Sequence, residues 1–235
     1  MMRKFLIRIS AAAIFLAAIS LQFGCGPRHD ASSADDRLNK PLAMPPTDKD
    51  RPKIIAFGDS LTAGFGLTEQ ESYPNLLQGM LQKDGLDHEV VNAGVSGDTS
   101  LGGLERIDWV LDAPNVHILI LELGANDLLR GGPPEKMRQN LETIIQKAKA
   151  KNVRVLLCGM IAPPTMGKDY QHDFNAVFPD LAAKYKLQYL PFLLENVALK
   201  KELNQADGIH PNAEGEKIMT ANVYAALKPM LESRQ

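Results

Sequence analysis

The chain has 235 residues, of which 45% are hydrophobic and 23% are charged. These values are typical of a globular protein, and the length allows one sizeable hydrophobic core. The formal net charge at pH 7 is only −2, which leaves no basic footprint for nucleic acid and excludes that class of partner from our expectations.

The first 24 residues have the pattern of an export signal rather than of a folded domain. Arg3, Lys4 and Arg8 form a positively charged start. The apolar stretch 9–21 that follows is too short to span a bilayer comfortably. The pattern predicts a signal over residues 1–24, so we expect an exported protein.

Cys25 follows this stretch and is typical of a bacterial lipoprotein, in which that cysteine is acylated once the signal has been removed. The leucine that usually lies three residues before the cysteine is absent. Gln22 occupies this place, and Leu21 is one residue further back. We expect a location in the bacterial periplasm or, through acylated Cys25, at a membrane. An ordinary signal peptide with a chance cysteine and a retained anchor helix remain alternatives.

Residues 25–52 separate the signal from the folded part. They contain Pro, Asp, Ser and Lys without apolar periodicity, which predicts a flexible tether. The remaining residues, 53–235, are predicted to form one domain. Cys158, the only other cysteine, falls in a strand-like apolar run. We therefore expect it to be a small core residue and expect no intramolecular disulfide.

Strand-like and helix-like segments alternate from Lys53 to the end of the chain. This alternation predicts crossover connections and hence a five-stranded parallel sheet with helices on both faces, a three-layer α/β/α domain. The predicted strands are 53–58, 88–93, 116–123, 153–159 and 187–192. The predicted helices are 71–83, 99–111, 135–150, 171–185 and 213–232.

Ser60 follows the first predicted strand, within Gly58-Asp59-Ser60, at the edge where open α/β sheets carry their sites. In isolation this motif is more often a turn or a helix cap than a nucleophile. The next two strands also end in small polar loops, 92–99 and 124–127, which a parallel sheet brings to the same edge. A glycine N–H or an asparagine amide at this edge can stabilise the oxyanion of acyl transfer. Taken alone, however, either loop has the composition of an ordinary turn.

A serine nucleophile needs a base, and two of the five histidines are candidates. The other three lie in the tether or at strand starts: His29, His88 and His117. His172 and His210 each follow an aspartate by three residues, Asp169 and Asp207, so spacing does not choose between them. The first pair begins a predicted helix, whereas the second lies in a loop broken by Gly and Pro, a context that favours catalysis. Taken alone, this loop also fits a surface turn.

Together these motifs resemble the SGNH (GDSL) hydrolase superfamily over about residues 53–230. Residues 58–61, Gly94, 124–127 and 207–211 match four of its sequence blocks in the right order. Finer features resemble the multifunctional thioesterase I, lysophospholipase L1 and arylesterase branch: 64–66, 72–74, 159–160, 163–164 and 190–194. The double proline of this branch often continues with Asn-Tyr-Gly, whereas here it continues with Thr-Met-Gly.

The resemblance implies a role for each matching residue. Ser60 is expected to be the nucleophile, His210 the general base and then acid, and Asp207 the residue that orients His210. The expected oxyanion site consists of the Ser60 and Gly94 backbone N–H groups and the Asn126 side chain.

The resemblance also implies a flavodoxin-like fold with strand order 2-1-3-4-5, and no metal or cofactor. Asp59 and Asp127 match motif positions, and we expect them to brace loops through hydrogen bonds.

The resulting hypothesis is a serine esterase that hydrolyses acyl esters, of the arylesterase, thioesterase or lysophospholipase type. Its expected partner is a small acyl ester, and the chain is expected to act as a monomer. A carbohydrate O-acetyl esterase is the alternative among enzymes. A flavodoxin-like binding module and a non-catalytic envelope lipoprotein are the alternatives without catalysis. The binding module is disfavoured because Asp59 is a poor neighbour for a phosphate and the chain has no Gly-x-x-x-x-Gly-Lys loop.

Overall fold

A computed structural model of the protein describes residues 51–232. The predicted signal over 1–24, the lipidation site Cys25 and most of the predicted tether lie outside the described residues. Within the described part, no helix is long and apolar enough to cross a membrane.

Five parallel strands form one sheet in the order β2-β1-β3-β4-β5, as expected from the resemblance. They are β1 Lys53–Gly58, β2 Glu89–Gly94, β3 Val116–Glu122, β4 Arg154–Cys158 and β5 Gln188–Leu190. The first four lie within about one residue of their predicted positions. The fifth has three residues instead of the predicted six, and it ends before Pro191, which has no N–H for a sheet hydrogen bond.

Within residues 51–232, seven α-helices connect and cover the strands. They are α1 Ser60–Ala63, α2 Tyr73–Lys83, α3 Ser100–Leu111, α4 Ala125–Leu129, α5 Pro134–Ala150, α6 Lys168–Tyr185 and α7 Ala213–Glu232. The five long ones were predicted. The short helices α1 and α4 were not, because four or five residues are too few to show helical periodicity.

The helices pack in two groups. α3 packs on α5 and α5 on α6, whereas α2 packs on α7. Consecutive residues of β1 and β3 point to opposite faces of the sheet, and nearly all of them are buried, so both faces are covered. The three-layer architecture is therefore confirmed.

Cys158 ends β4 and is fully buried. Burial raises the pKa of its thiol well above the ordinary range, which leaves the group neutral and unreactive. The prediction of a core residue is confirmed.

Candidate active site

Ser60 is the first residue of α1, two residues beyond the end of β1. The Asp59 side chain caps α1 by accepting the Leu61 N–H, and Gly64 ends the helix in the left-handed conformation with φ 76°. This single helical turn holds Ser60 at the carboxyl edge of the sheet. Its Oγ lies 2.9 Å from Nε2 of His210, 150 residues later in the chain.

Asp207 and His210 lie in the loop before α7, and the structure brings both to Ser60. His210 Nδ1 lies 2.7 Å from Asp207 Oδ2. Asp207 Oδ1 accepts the backbone N–H groups of Ile209 and His210, at 3.0 and 3.1 Å. The hydrogen bond from the His210 ring, with these backbone N–H groups, lowers the pKa of Asp207 to about 2. The carboxylate therefore stays ionised and favours the His210 tautomer with the proton on Nδ1.

The other histidines of the described part lie elsewhere. His172 is exposed in the first turns of α6, close to Asp169, and Ser60 is hydrogen-bonded to His210 instead. His88 precedes β2 and His117 is the second residue of β3, so both lie at the opposite edge of the sheet from Ser60. The structure thus places only the second Asp-x-x-His pair beside the serine.

The three predicted oxyanion donors lie on the turns that follow β1, β2 and β3. The Ser60 N–H is in the first turn of α1, where a helix offers it no internal acceptor. The Gly94 N–H donates to Asn92 Oδ1 at 2.9 Å. The Asn126 amide donates to Asp59 Oδ2 at 2.9 Å and to the Asp98 carbonyl at 3.0 Å. Two of the three donors are therefore already held by acceptors of the chain.

Gly94 ends β2 where the strand contacts the backbone of α1. A Cβ on Gly94 would lie 2.3 Å from the Ala63 nitrogen and 2.7 Å from the Thr62 carbonyl carbon. Only glycine at position 94 allows the two backbones to come this close. The loop after β2 can therefore pack against the turn that carries Ser60.

Asp59 and Asp127 brace loops, as expected. Asp59 is fully buried and joins the first and third loops through Leu61 N–H and the Asn126 amide. Burial raises the pKa of Asp59 to about 6. Asp127 accepts both the N–H and the hydroxyl of Ser100, at 2.7 Å each, which ties α4 to the start of α3.

Arg106 was not predicted as part of the site. Its guanidinium donates to the carbonyls of Gly58 and Ala93, at 2.9 and 2.8 Å, and pairs with Asp98 at 2.6 Å. It also lies 3.9 Å from the centre of the Phe57 ring. Arg106 therefore fastens the ends of β1 and β2 together. A basic residue in the middle of a helix carries no sequence signal for such a role.

No group of three or more His, Cys, Asp or Glu side chains in residues 51–232 is arranged to hold a metal ion.

Known proteins resemble this chain over most of its folded part. It is 41% identical over 178 residues to Esterase TesA of Pseudomonas aeruginosa, covering 76% of this chain and 89% of that protein. It is 36% identical over 178 residues to thioesterase 1/protease 1/lysophospholipase L1 of Escherichia coli K12, covering 76% and 84%. The crystal structure of TesA matches with a TM-score of 0.73 at 40% identity, covering 76% of this chain and 99% of that chain. Residues 56–218 also match the GDSL-like Lipase/Acylhydrolase family, and the chain therefore belongs to this GDSL (SGNH) hydrolase family.

Proposed function

We propose that the protein is a serine esterase that hydrolyses acyl esters through an acyl-enzyme on Ser60. The observation that carries the proposal is the hydrogen-bonded path from Ser60 Oγ through the His210 ring to Asp207, with distances of 2.9 and 2.7 Å. The names of the relatives, esterase and thioesterase/lysophospholipase, support ester hydrolysis as the reaction.

The proposed reaction has two halves. Ser60 Oγ attacks the carbonyl carbon of the ester while His210 Nε2 takes the hydroxyl proton. The tetrahedral intermediate collapses, and the same proton passes from His210 to the departing alcohol or thiol. Water then attacks the acyl-enzyme, again losing a proton to His210, and Ser60 recovers that proton as the carboxylic acid leaves. Asp207 stays ionised throughout and stabilises the imidazolium.

The negative oxygen of the intermediate is proposed to bind the N–H groups of Ser60 and Gly94 and the amide of Asn126. The acceptors that now hold the last two are the Asn92 side chain, the Asp59 carboxylate and a main-chain carbonyl. These bonds orient the donors before substrate arrives. A fully developed oxyanion is a stronger acceptor than the Asn92 amide oxygen or the Asp98 carbonyl, so it can share the hydrogens that these two neutral groups hold.

The surroundings of Ser60 favour an apolar acyl or aryl group. Five large apolar side chains are each between 45% and 61% exposed; one ends α4 and the others lie on loops beyond the strand ends or in the Asp207–His210 loop: Leu129, Phe65, Val95, Ile161 and Ile209. Contact with an apolar substrate would remove this surface from water. This favours a hydrophobic ester, of the thioesterase, lysophospholipase or arylesterase type, over an acetylated sugar.

The proposed location follows from the part of the chain outside the described residues. We propose that residues 1–24 export the protein, that acylated Cys25 holds it at a membrane, and that residues 25–52 act as a tether. The charge and apolar pattern of the sequence supports this proposal.

Ser60→Ala tests the proposed reaction. We expect it to lower hydrolysis of a short p-nitrophenyl ester by roughly 10³-fold or more, because nucleophile and base act as a unit. His210→Ala should lose a similar factor. His172→Ala is the matched control, since it removes an exposed histidine of α6, and it should keep wild-type turnover.

Labelling with a fluorophosphonate, followed by mapping of the modified residue, gives an independent readout. We expect modification of Ser60 alone. Wild-type turnover in Ser60→Ala, or labelling at another serine, would contradict the mechanism. A series of esters of increasing chain length beside acetylated glycans tests the substrate: the fastest turnover on acetylated glycans would favour the carbohydrate O-acetyl esterase instead.

A further inference from the structure

Glu122 is a carboxyl group that the proposed reaction does not use, although it lies beneath the nucleophile. It is the last residue of β3, the apolar strand next to β1, and it is fully buried. A carboxyl group in such a place costs free energy unless its polar atoms find partners, so its contacts indicate what it does there.

One oxygen of Glu122 holds both sides of the turn that presents Ser60. Oε2 accepts the backbone N–H of Asp59 at 3.1 Å and the hydroxyl of Thr62 at 2.8 Å. Asp59 directly precedes Ser60, and Thr62 follows it by two residues. A shift of this oxygen would therefore move the backbone on either side of the nucleophile.

The fit between Glu122 and this turn is tight. A Cβ on Gly58 would lie 2.3 Å from Glu122 Oε2 and 2.1 Å from Thr62 Oγ1, so only glycine at position 58 lets the carboxyl group approach. On its other side, Thr62 Oγ1 lies 3.4 Å from the hydroxyl of Tyr73, which is fully buried in α2. The turn is packed from both sides.

The second oxygen, Oε1, has no hydrogen-bond partner within residues 51–232. Burial, and then the nearby Asp59 carboxyl, raise the pKa of Glu122 well above the ordinary range. Tyr73 from α2, Cys158 from β4 and Glu216 from α7 also face this region, whereas the nearby cation Arg106 pairs with Asp98 and the His210 ring with Asp207. Burial therefore favours the protonated form of Glu122, whose carbonyl oxygen can accept both hydrogen bonds.

We propose that Glu122 is a positioning residue for Ser60, which acts through hydrogen bonds to Asp59 and Thr62 and aims the nucleophile at the substrate carbonyl. The proposal rests on the proposed function, because it assigns Glu122 a part in the reaction of Ser60. The proposed role requires a hydrogen-bond acceptor at position 122 and does not require a negative charge there.

Two substitutions separate these requirements. Glu122→Gln keeps an oxygen that accepts both hydrogen bonds, so kcat should stay within about threefold of wild type. Glu122→Met fills similar space without any acceptor, and kcat should fall by roughly 10²-fold with KM unchanged, because small misplacements of reacting atoms are costly. Rates are to be expressed per active site titrated with a fluorophosphonate, and the labelling rate constant of Glu122→Met should fall in parallel with kcat.

Glu216→Met is the matched control. Glu216 is also a buried carboxyl with one unpartnered oxygen, but it accepts the backbone N–H of Tyr73 and makes no hydrogen bond to the Ser60 turn. Its replacement should change stability and leave kcat per titrated site unchanged. If Glu122→Met does not fold, Thr62→Val removes one of the two hydrogen bonds and should lower kcat about fivefold.

Wild-type kcat per titrated site in Glu122→Met, or in Thr62→Val where that variant is needed, would reduce Glu122 to a purely structural residue and overturn the proposal. A fall in Glu122→Gln as large as in Glu122→Met would overturn it as well, because a charge would then be required. Labelling of the wild-type protein tests the proposed function separately. If the wild type is not labelled at Ser60, both proposals fail, whereas labelling with unchanged rates in the variants overturns the role of Glu122 alone.

Discussion

Three carboxyl groups of the described structure differ in pKa because their surroundings differ. Asp207 is exposed, and hydrogen bonds from His210 and Ile209 lower its pKa to about 2. Asp59 is buried beside Asn126, and burial raises its pKa to about 6. Glu216 is buried on α7, and burial raises its pKa to about 8. The exposed group thus has the lowest pKa of the three, so it stays ionised over the widest pH range and can stabilise a charged imidazole.

Glu216 makes the stability of the fold depend on pH. Its pKa is raised above the ordinary value of 4.5, so the stability that its protonated form supplies is fully present below about pH 4.5. That stability is lost as the pH rises through about 8. Glu216→Gln keeps an acceptor for the Tyr73 N–H and never ionises. We therefore expect its Tm to exceed that of the wild type at pH 9 by more than at pH 5, measured by circular dichroism.

If the variant and the wild type differed in Tm by the same amount at pH 5 and pH 9, Glu216 would not be the group whose ionisation destabilises the fold. The comparison isolates Glu216 because Glu122 and Asp59, the other buried carboxyl groups named here, are present in both proteins.

At the residue scale, the sequence predicted the side chains of the proposed triad but not those that pack beneath them. Short local motifs contain all three residues of the proposed triad, Ser60, Asp207 and His210, so they can be recognised from the sequence alone. Glu122 stands in a strand that otherwise reads as apolar, and its contacts with Asp59 and Thr62 join residues about 60 positions apart. Only the folded arrangement of β1 and β3 shows these contacts.

At the scale of elements, two glycines in helices have opposite surroundings. A Cβ on Gly79, on the exposed face of α2, would meet nothing within 4 Å. A Cβ on Gly103, in α3, would lie 2.2 Å from Cδ1 of Leu123, whose side chain is fully buried. Gly103 therefore sets how closely α3 packs on the sheet.

Gly79→Ala should raise the free energy of unfolding by about 0.5–1 kcal/mol, because glycine loses more backbone freedom on folding than alanine. Gly103→Ala gains the same stabilisation from the reduced backbone freedom of the unfolded chain. However, its methyl group must displace Leu123 from a close-packed core. Overpacking costs about 1–3 kcal/mol, so the net change should be destabilising. Urea unfolding of each variant and of the wild type measures these changes in the free energy of unfolding. A stabilised Gly103→Ala would show that α3 can move away from the sheet without cost.

The long elements were predictable because their periodicity spans many residues. The short helices α1 and α4 were not, although they carry Ser60 and Asn126. Their sequences contain no repeated apolar face, and α1 depends on a cap from Asp59 and on Gly64. The location of the site at the carboxyl edge of the sheet could thus be predicted from the sequence. The short helical turns that orient Ser60 and Asn126 could not.

At the scale of the whole molecule, the candidate site is assembled entirely from the part of the chain between β1 and α7. Ser60 and His210 meet across 150 residues, and the donors and acceptors described above for residues 51–232 lie between Gly58 and His210. We therefore expect catalysis and location to respond to different substitutions.

Cys25→Ser tests the proposed location. In a bacterial host that processes lipoproteins, the wild-type protein should be found in the membrane fraction and should incorporate a labelled fatty acid. Cys25→Ser cannot form the thioether, so we expect no label and a soluble exported protein. Its kcat per titrated site should equal that of the wild type, because the site between Gly58 and His210 is unchanged.

Cys158→Ala is the matched control, since Cys158 is fully buried in β4 and inaccessible to an acyltransferase. This variant should keep both the fatty-acid label and the membrane location. The other outcomes each identify one of the remaining alternatives. A soluble, unlabelled wild type would indicate an ordinary signal peptide with a chance cysteine. Retention of Cys25→Ser in the membrane, with residues 1–24 still attached by mass spectrometry, would indicate an anchor helix instead of a lipid.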